Sequence, residues 1–152
     1  MDQCDSLNGG VLLLEDDTLS ALLATALIRR CGLPADWTDN SADAIALLRR
    51  AAAGQGGDLP AAIVADLNLR GGGAEEAIEW VRTSETARSI PVLVMSEDGA
   101  AQAKQRAMDC GADLYIEKSK VLRSLPKWFN ASGAVAVYRD LCARREREAA
   151  AA

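Results

Sequence analysis

Three short runs of the chain, Val11–Leu14 and residues 61–65 and 91–95, are apolar nearly throughout, and a fourth, residues 114–116, is shorter. Unbroken rather than alternating apolarity is what strands covered on both faces require, as in a parallel sheet. A fifth segment, Ala35–Thr38, carries Asp36 and Trp37 and reads as an edge strand. Between these runs lie helical spacings. Leu19, Leu22, Leu23, Ala26 and Leu27 form one stripe; Ala44, Ile45 and Leu48 form a second; Ala74, Ala77, Ile78 and Val81 form a third. Cys31-Gly32 and Cys110-Gly111 supply the glycine expected just past a helix end. Residues 98–110 are helical by composition, yet their inward candidates are mostly alanines, so this helix is lightly anchored.

The result is five β-α units in strict alternation, which right-handed crossovers turn into a doubly wound sheet with helices on both faces. A strand order of 2-1-3-4-5 puts the switch point between strands 1 and 3, although alternation itself does not fix that order. Residues 54–58 read as a flexible connection. From residue 133 onward the pattern is an extra helix with Val135, Tyr138 and Cys142 on one side, ending in Arg-Glu alternation and four alanines. No internal repeat and no linker to a second domain is visible. The expected organisation is a tail at 1–9, one domain at 10–131 and a C-terminal helical extension at 132–152.

Composition narrows the function. A chain of 152 residues is the length of one domain, and 49% hydrophobic with 26% charged residues excludes a disordered chain. The net charge of −5 argues against a sequence-independent grip on DNA, which needs a basic face. No apolar run is long enough for a bilayer, and the N-terminus lacks a signal-peptide pattern, so a cytoplasmic protein without a membrane partner is expected. Cys4, Cys31, Cys110 and Cys142 lie far apart with no C-x-x-C pair and read as free thiols. The chain has no histidine, which removes Ser-His and Cys-His catalysis and His-ligated zinc.

The informative observation is where polar residues fall. Glu15 and Asp16 follow the first apolar run, Asp66 ends the third strand, Ser96 the fourth and Lys118 the fifth. In a doubly wound sheet the carboxyl ends of the strands line the ligand crevice, so these groups converge. Carboxylates a few ångströms apart repel by about 4 kcal/mol per pair at an effective dielectric near 20, and stay ionised together only around a cation. Mg²⁺ suits such a site best, with Mn²⁺ a close substitute. Lys118 offers a point charge for a phosphoryl oxygen and Ser96 a hydroxyl donor. Metal, ammonium and hydroxyl around one carboxylate are what phosphoryl transfer to that carboxylate needs, which makes Asp66 the nucleophile. Taken singly, Glu15-Asp16 could be a helix-start signal, Asp66 a turn residue, Ser96 and Ser119 N-caps and Lys118 a solvated lysine. Four strand ends together outweigh those readings.

VLLLEDD at the first strand, IVADLNL at the third, IPVLVMSE at the fourth and GADLYIEKS at the fifth resemble the response-regulator receiver family over residues 10–130. Ser96 lies 30 residues after Asp66, and Lys118 22 after Ser96, as in that family. The resemblance implies Mg²⁺ held by Asp16, Asp66 and the backbone carbonyl of Asn68, with Glu15 helping through water. It implies a phosphohistidine donor, either a sensor histidine kinase or a histidine phosphotransfer protein. It also gives Ser96 and Tyr115 a switch role toward a separate downstream target. Asn68 and Asp98 are the two positions that flank the phosphate; both are small and polar, which predicts comparatively quick self-dephosphorylation. Two departures stand out. Ser119 replaces the proline common after the lysine, so a trans peptide is expected there, and Arg70 stands where proline is common in a loop made pliable by Gly71, Gly72 and Gly73.

The expected fold is therefore α/β: a flavodoxin-like, doubly wound, five-stranded parallel sheet, order 2-1-3-4-5, with an extra C-terminal helix. The expected function is a non-enzymatic signalling switch that catalyses only its own phosphorylation and dephosphorylation. A phosphorylation-independent interaction module is the alternative. A haloacid-dehalogenase-type phosphatase shares the order Asp, Ser/Thr, Lys but wants a second aspartate where Asn68 stands, and an acidic pair after the lysine rather than before it.

Overall fold

A computed structural model describes residues 6–69, 72–97 and 101–129, together with residues 147, 150 and 151. The expected tail segment 1–5 and most of the expected extension 132–152 lie outside the described residues, as do Arg70, Gly71 and Asp98. The elements run β1 (Leu7–Asn8), β2 (Val11–Leu14), α1 (Thr18–Arg30), β3 (Ala35–Thr38), α2 (Ser41–Ala52), β4 (Gly57–Asp58) and β5 (Ala62–Asp66). There follow α3 (Glu75–Thr83), β6 (Val92–Ser96), α4 (Ala101–Cys110), β7 (Leu114–Glu117) and α5 (Lys118–Phe129).

The five apolar strands form one parallel sheet in the order β3-β2-β5-β6-β7. Counted along these five strands alone, that is 2-1-3-4-5. Successive side chains of a strand point to opposite faces, and both faces are covered, which explains the unbroken apolar runs. Leu12, Leu14, Ile63, Ala65, Val92 and Val94 pack beneath α2, α3 and α4. Val11, Leu13, Val64, Leu93 and Met95 pack beneath α1 and α5. The apolar runs understate the strands at their carboxyl ends. Asp66 and Ser96 are still paired in the sheet, opposite Met95 and Glu117, so the polar residues are held by the ladder itself.

Helix ends follow local chemistry. Asp17 caps α1 by accepting from the backbone N–H of Ser20, and Asn40 caps α2 through Asp43. Gly32 and Gly111 have φ of +89° and +112° just past α1 and α4, a conformation that favours glycine.

The stripe expected for α1 is corrected. Ala21, Ala24, Thr25 and Ile28 are the buried residues of this helix, whereas Leu19, Leu22 and Leu23 are 66, 42 and 47% exposed. Both sets recur at helical spacing. The small set wins because alanine lets α1 lie close to the sheet beside α5. Thr25 can join it because its hydroxyl bonds the Ala21 carbonyl at 2.8 Å. α4 is anchored as expected: Ala103 and Ala107 are its buried residues.

The connection at 54–58 is more ordered than its composition suggests. Gly57–Asp58 pairs in parallel with Leu7–Asn8. A Cβ at Gly57 would lie 2.0 Å from the Leu7 carbonyl oxygen, so only glycine allows this approach. Asn8 then donates its backbone N–H and its side-chain amide to Asp36, at 2.9 and 3.0 Å. This clip satisfies a buried carboxylate on β3, the edge strand of the main sheet. Across the molecule, Arg82 of α3 bonds the Gly111 and Ile90 carbonyls, each at 2.8 Å, and the Asp113 carboxylate at 2.9 Å, tying α3 to the turn between α4 and β7.

The burial of α1 gives a direct test in urea denaturation. Leu22→Lys should change stability by less than about 0.5 kcal/mol, the usual range for a surface site. Ile28→Ala should cost about 2–5 kcal/mol, as buried truncations do. Equal losses would contradict this placement of the helix.

Candidate functional site

The site lies at the carboxyl ends of β2, β5, β6 and β7. β2 ends at Leu14, and Glu15 stays in line because its N–H bonds the Thr38 carbonyl at 3.0 Å. Glu15 is held further by Trp37, whose indole N–H donates to the Glu15 carbonyl at 2.7 Å, and by Asp17, whose N–H donates to Oε1 at 3.0 Å. Glu15 and Ser96 are fully buried and Asp66 nearly so, while Asp16 is half-buried.

One oxygen from each of Glu15, Asp16 and Asp66 lies within 4.8 Å of the others. Lys118, the first residue of α5, places Nζ 2.9 Å from Asp66 Oδ2 and 2.9 Å from Glu15 Oε2. Among the described residues Glu15 Oε2 has no partner other than this ammonium. Asp66 Oδ1 accepts the backbone N–H of Asn68 at 2.9 Å, and the Asn68 amide donates to Ser96 Oγ at 3.3 Å. Asp66 is thus held by a cation on one oxygen and by backbone on the other. The open side is a cavity of about 340 Å³ lined by Asp16, Asp17, Asp66, Asn68, Glu97 and Lys118.

Burial pushes the Glu15 carboxyl above its ordinary value, opposed by Lys118 and by the N–H of Asp17. Burial also works against the charge of Lys118, but its hydrogen bonds to Asp66 and Glu15 outweigh this and hold its pKa above the ordinary lysine value. A hard, all-oxygen donor set with a buried, under-satisfied carboxylate oxygen fits an oxygen-loving divalent cation such as Mg²⁺ or Mn²⁺.

The structure therefore brings together Glu15, Asp16, Asp66, Asn68, Ser96 and Lys118, all named from the sequence. Tyr115 is elsewhere: it is half-buried on β7 against the layer under α2, α3 and α4. The Lys118-Ser119 peptide is trans, as is every described one. Sequence reasoning missed Asp17, Glu97 and Trp37. Asp17 and Glu97 directly follow residues already singled out and could have been found by asking what else sits at those strand ends. Trp37 carried no such signal, because its role is a hydrogen bond across two strands.

Comparison with known proteins agrees with this geometry. The family model for the response regulator receiver domain matches residues 11–129. A curated relative, the probable methanogenesis regulatory protein FilR2 of Methanothrix harundinacea, is 28% identical over 110 residues, covering 71% of this chain and 70% of that protein. Among solved structures, the phosphorylated cyanobacterial phytochrome response regulator RcpA superposes with a TM-score of 0.70 at 19% identity, covering 83% of this chain and 96% of that one. The receiver domain of the sensor histidine kinase PA1611 from Pseudomonas aeruginosa PAO1, with magnesium in its active-site cleft, gives 0.62 at 19% identity over 81 and 98% of the two chains. The Mn²⁺-bound response regulator Rcp1 gives 0.66 at 18% identity over 81 and 96%. With a family match spanning most of its length, the chain belongs to the response regulator receiver domain family.

Proposed function

We propose that this receiver accepts a phosphoryl group on Asp66 from the phosphohistidine of a sensor kinase or phosphotransfer protein, and thereby switches a surface read by a separate target. The observation that carries the reading is the shared ammonium, Lys118 Nζ 2.9 Å from both Asp66 and Glu15, beside three carboxylates within 4.8 Å. In the transfer, an Asp66 oxygen bonds to phosphorus as the P–N bond of the donor breaks and its electron pair leaves with the imidazole. Lys118 and the Ser96 hydroxyl meet the charge that develops on the equatorial oxygens. Asn68 donates to Ser96 and so orients that hydroxyl. Asp16, Asp66 and the Asn68 carbonyl would hold Mg²⁺ or Mn²⁺, with Glu15 acting through water. The bound cation supplies neutralisation of the clustered carboxylates and of the incoming phosphoryl charge. We infer that the chain acts as a switch and turns over no other substrate.

Incubation with Mg²⁺ and acetyl phosphate, followed by intact-mass measurement, should add one phosphoryl group to the wild type. Asp66→Ala should gain nothing, and Lys118→Ala should label about 100- to 1000-fold more slowly, the loss typical of one electrostatic stabiliser. Labelling of Asp66→Ala at the wild-type rate would refute the assignment, and absence of labelling in every form would favour a module that works without phosphate.

The readout is assigned to α4 and β7, because α4 is anchored by two alanines and is inexpensive to shift. Inverting such an element's population takes about 5.5 kcal/mol, within reach of a few charge-assisted hydrogen bonds to the new phosphoryl oxygens. Amide exchange within α4 should change severalfold on labelling while β2 and β5 stay protected. Unchanged exchange in α4 would remove this part of the reading.

Glu15 supplies a pH test in metal-free protein. Its folded pKa lies above the ordinary 4.5, so the folded state binds its proton more tightly than the unfolded chain. Stability from this group therefore falls as pH rises through that interval. Lys118, whose pKa is also raised on folding, has the same sign but adds no slope there, since its share is lost only above the ordinary lysine value of 10.5. Glu15→Gln should remove the decline and melt a few degrees higher at neutral pH without metal. Added Mg²⁺ should stabilise the wild type more than the variant. A lower melting temperature for the metal-free variant would show that the buried charge stabilises the fold.

A further inference from the structure

Among the described residues of the cavity wall, Glu97 is the one that neither the ion-pair network nor the expected cation accounts for. It directly follows Ser96 at the end of β6, its side chain is exposed, and it lines the same cavity of about 340 Å³ as Asp16, Asp66 and Lys118. Resting on the phospho-acceptor reading above, we propose that Glu97 is a specificity-determining residue: its carboxylate disfavours small, free anionic phosphoryl donors and strengthens the hold on a divalent cation.

The argument is one of charge. Among the described residues, five carboxylates, Glu15, Asp16, Asp17, Asp66 and Glu97, lie around one ammonium, Lys118. Lys118 answers Asp66 and Glu15, and a divalent cation among Glu15, Asp16 and Asp66 answers those three. Asp17 is engaged by α1: its carboxylate accepts from the N–H and the hydroxyl of Ser20 at 2.9 and 2.6 Å, at the positive end of the helix. Glu97 takes part in none of these arrangements and faces whatever enters the cavity.

An acyl phosphate arrives as a freely diffusing dianion. Its reaction is balanced within the site: an Asp66 oxygen bonds to phosphorus while the P–O bond to the acyl group breaks, and the electron pair leaves with the carboxylate. So small a donor makes no protein contacts beyond the cavity to offset the repulsion from Glu97. A protein donor carries its phosphoryl group on an imidazole and gains contacts beyond the cavity, so the same repulsion is a smaller part of its binding. An exposed charge acts over a Debye length of about 30 Å at 0.01 M salt but only about 8 Å near physiological strength, so the effect must fade with added salt.

The test is the labelling rate with acetyl phosphate and saturating Mg²⁺, followed by intact mass at low and high ionic strength, with Mg²⁺ affinity measured separately by calorimetry. Glu97→Gln should label about three- to tenfold faster than wild type at low salt, with the advantage shrinking at high salt, and should bind Mg²⁺ a few-fold more weakly. Glu97→Asp, which keeps the charge, should stay slow. Equal rates for all forms at both salt concentrations, with equal Mg²⁺ affinity, would overturn the proposal while leaving Asp66 as acceptor. No labelling of any form would overturn both readings together.

Discussion

One ammonium held between two buried carboxylates is the interaction on which this molecule turns. Lys118 reaches Asp66 and Glu15 at the same 2.9 Å, from the start of the last helix to the ends of two neighbouring strands. Without that cation, carboxylates about 4 Å apart would oppose each other by about 4 kcal/mol at an effective dielectric near 20. With it, the pocket stays net negative but folded, ready for a further cation. Burial is the other half of the arrangement. Glu15 is fully buried, which raises its pKa and makes its charge costly to hold in the folded state.

The sheet makes this concentration of charge possible. Parallel strands align their carboxyl ends, and the order β3-β2-β5-β6-β7 sets β2 beside β5, so residues some fifty positions apart become neighbours. Two apolar layers, one under α1 and α5 and one under α2, α3 and α4, hold the strands rigid while the polar residues sit at their tips. Rigidity is unevenly distributed. Arg82 locks α3 to the far turn of α4 through carbonyls and Asp113, whereas the body of α4 rests on alanines. That contrast puts the lightly anchored helix beside β7, the strand that leads into Lys118.

Most of the sheet and most of the site were legible beforehand because each depends on short-range pattern. Apolar runs marked the strands to within a residue or so, and Cys-Gly pairs marked two helix ends. Polar residues directly after the runs marked the pocket. The leucines of α1 misled because periodicity reports a stripe and not which stripe faces inward; the close approach of α1 to the sheet selected alanines, Thr25 and Ile28 instead. The Leu7–Asn8 and Gly57–Asp58 pairing was hidden because two-residue strands carry no periodicity at all. Trp37 reads as an edge-strand residue, and its bond to the Glu15 carbonyl follows from strand pairing alone.

By itself the amino-acid order determined the alternation of strands and helices, the identity of the ionisable groups and their position at strand ends, since these follow from local periodicity and side-chain chemistry. Only the tertiary structure decided the strand order, the inward face of α1, the sharing of Lys118 between two carboxylates and the inclusion of Asp17 and Glu97 in the cavity wall. The reason is that distance between groups far apart in the chain is set by how the layers pack, and electrostatics depends on that distance and on burial rather than on sequence separation.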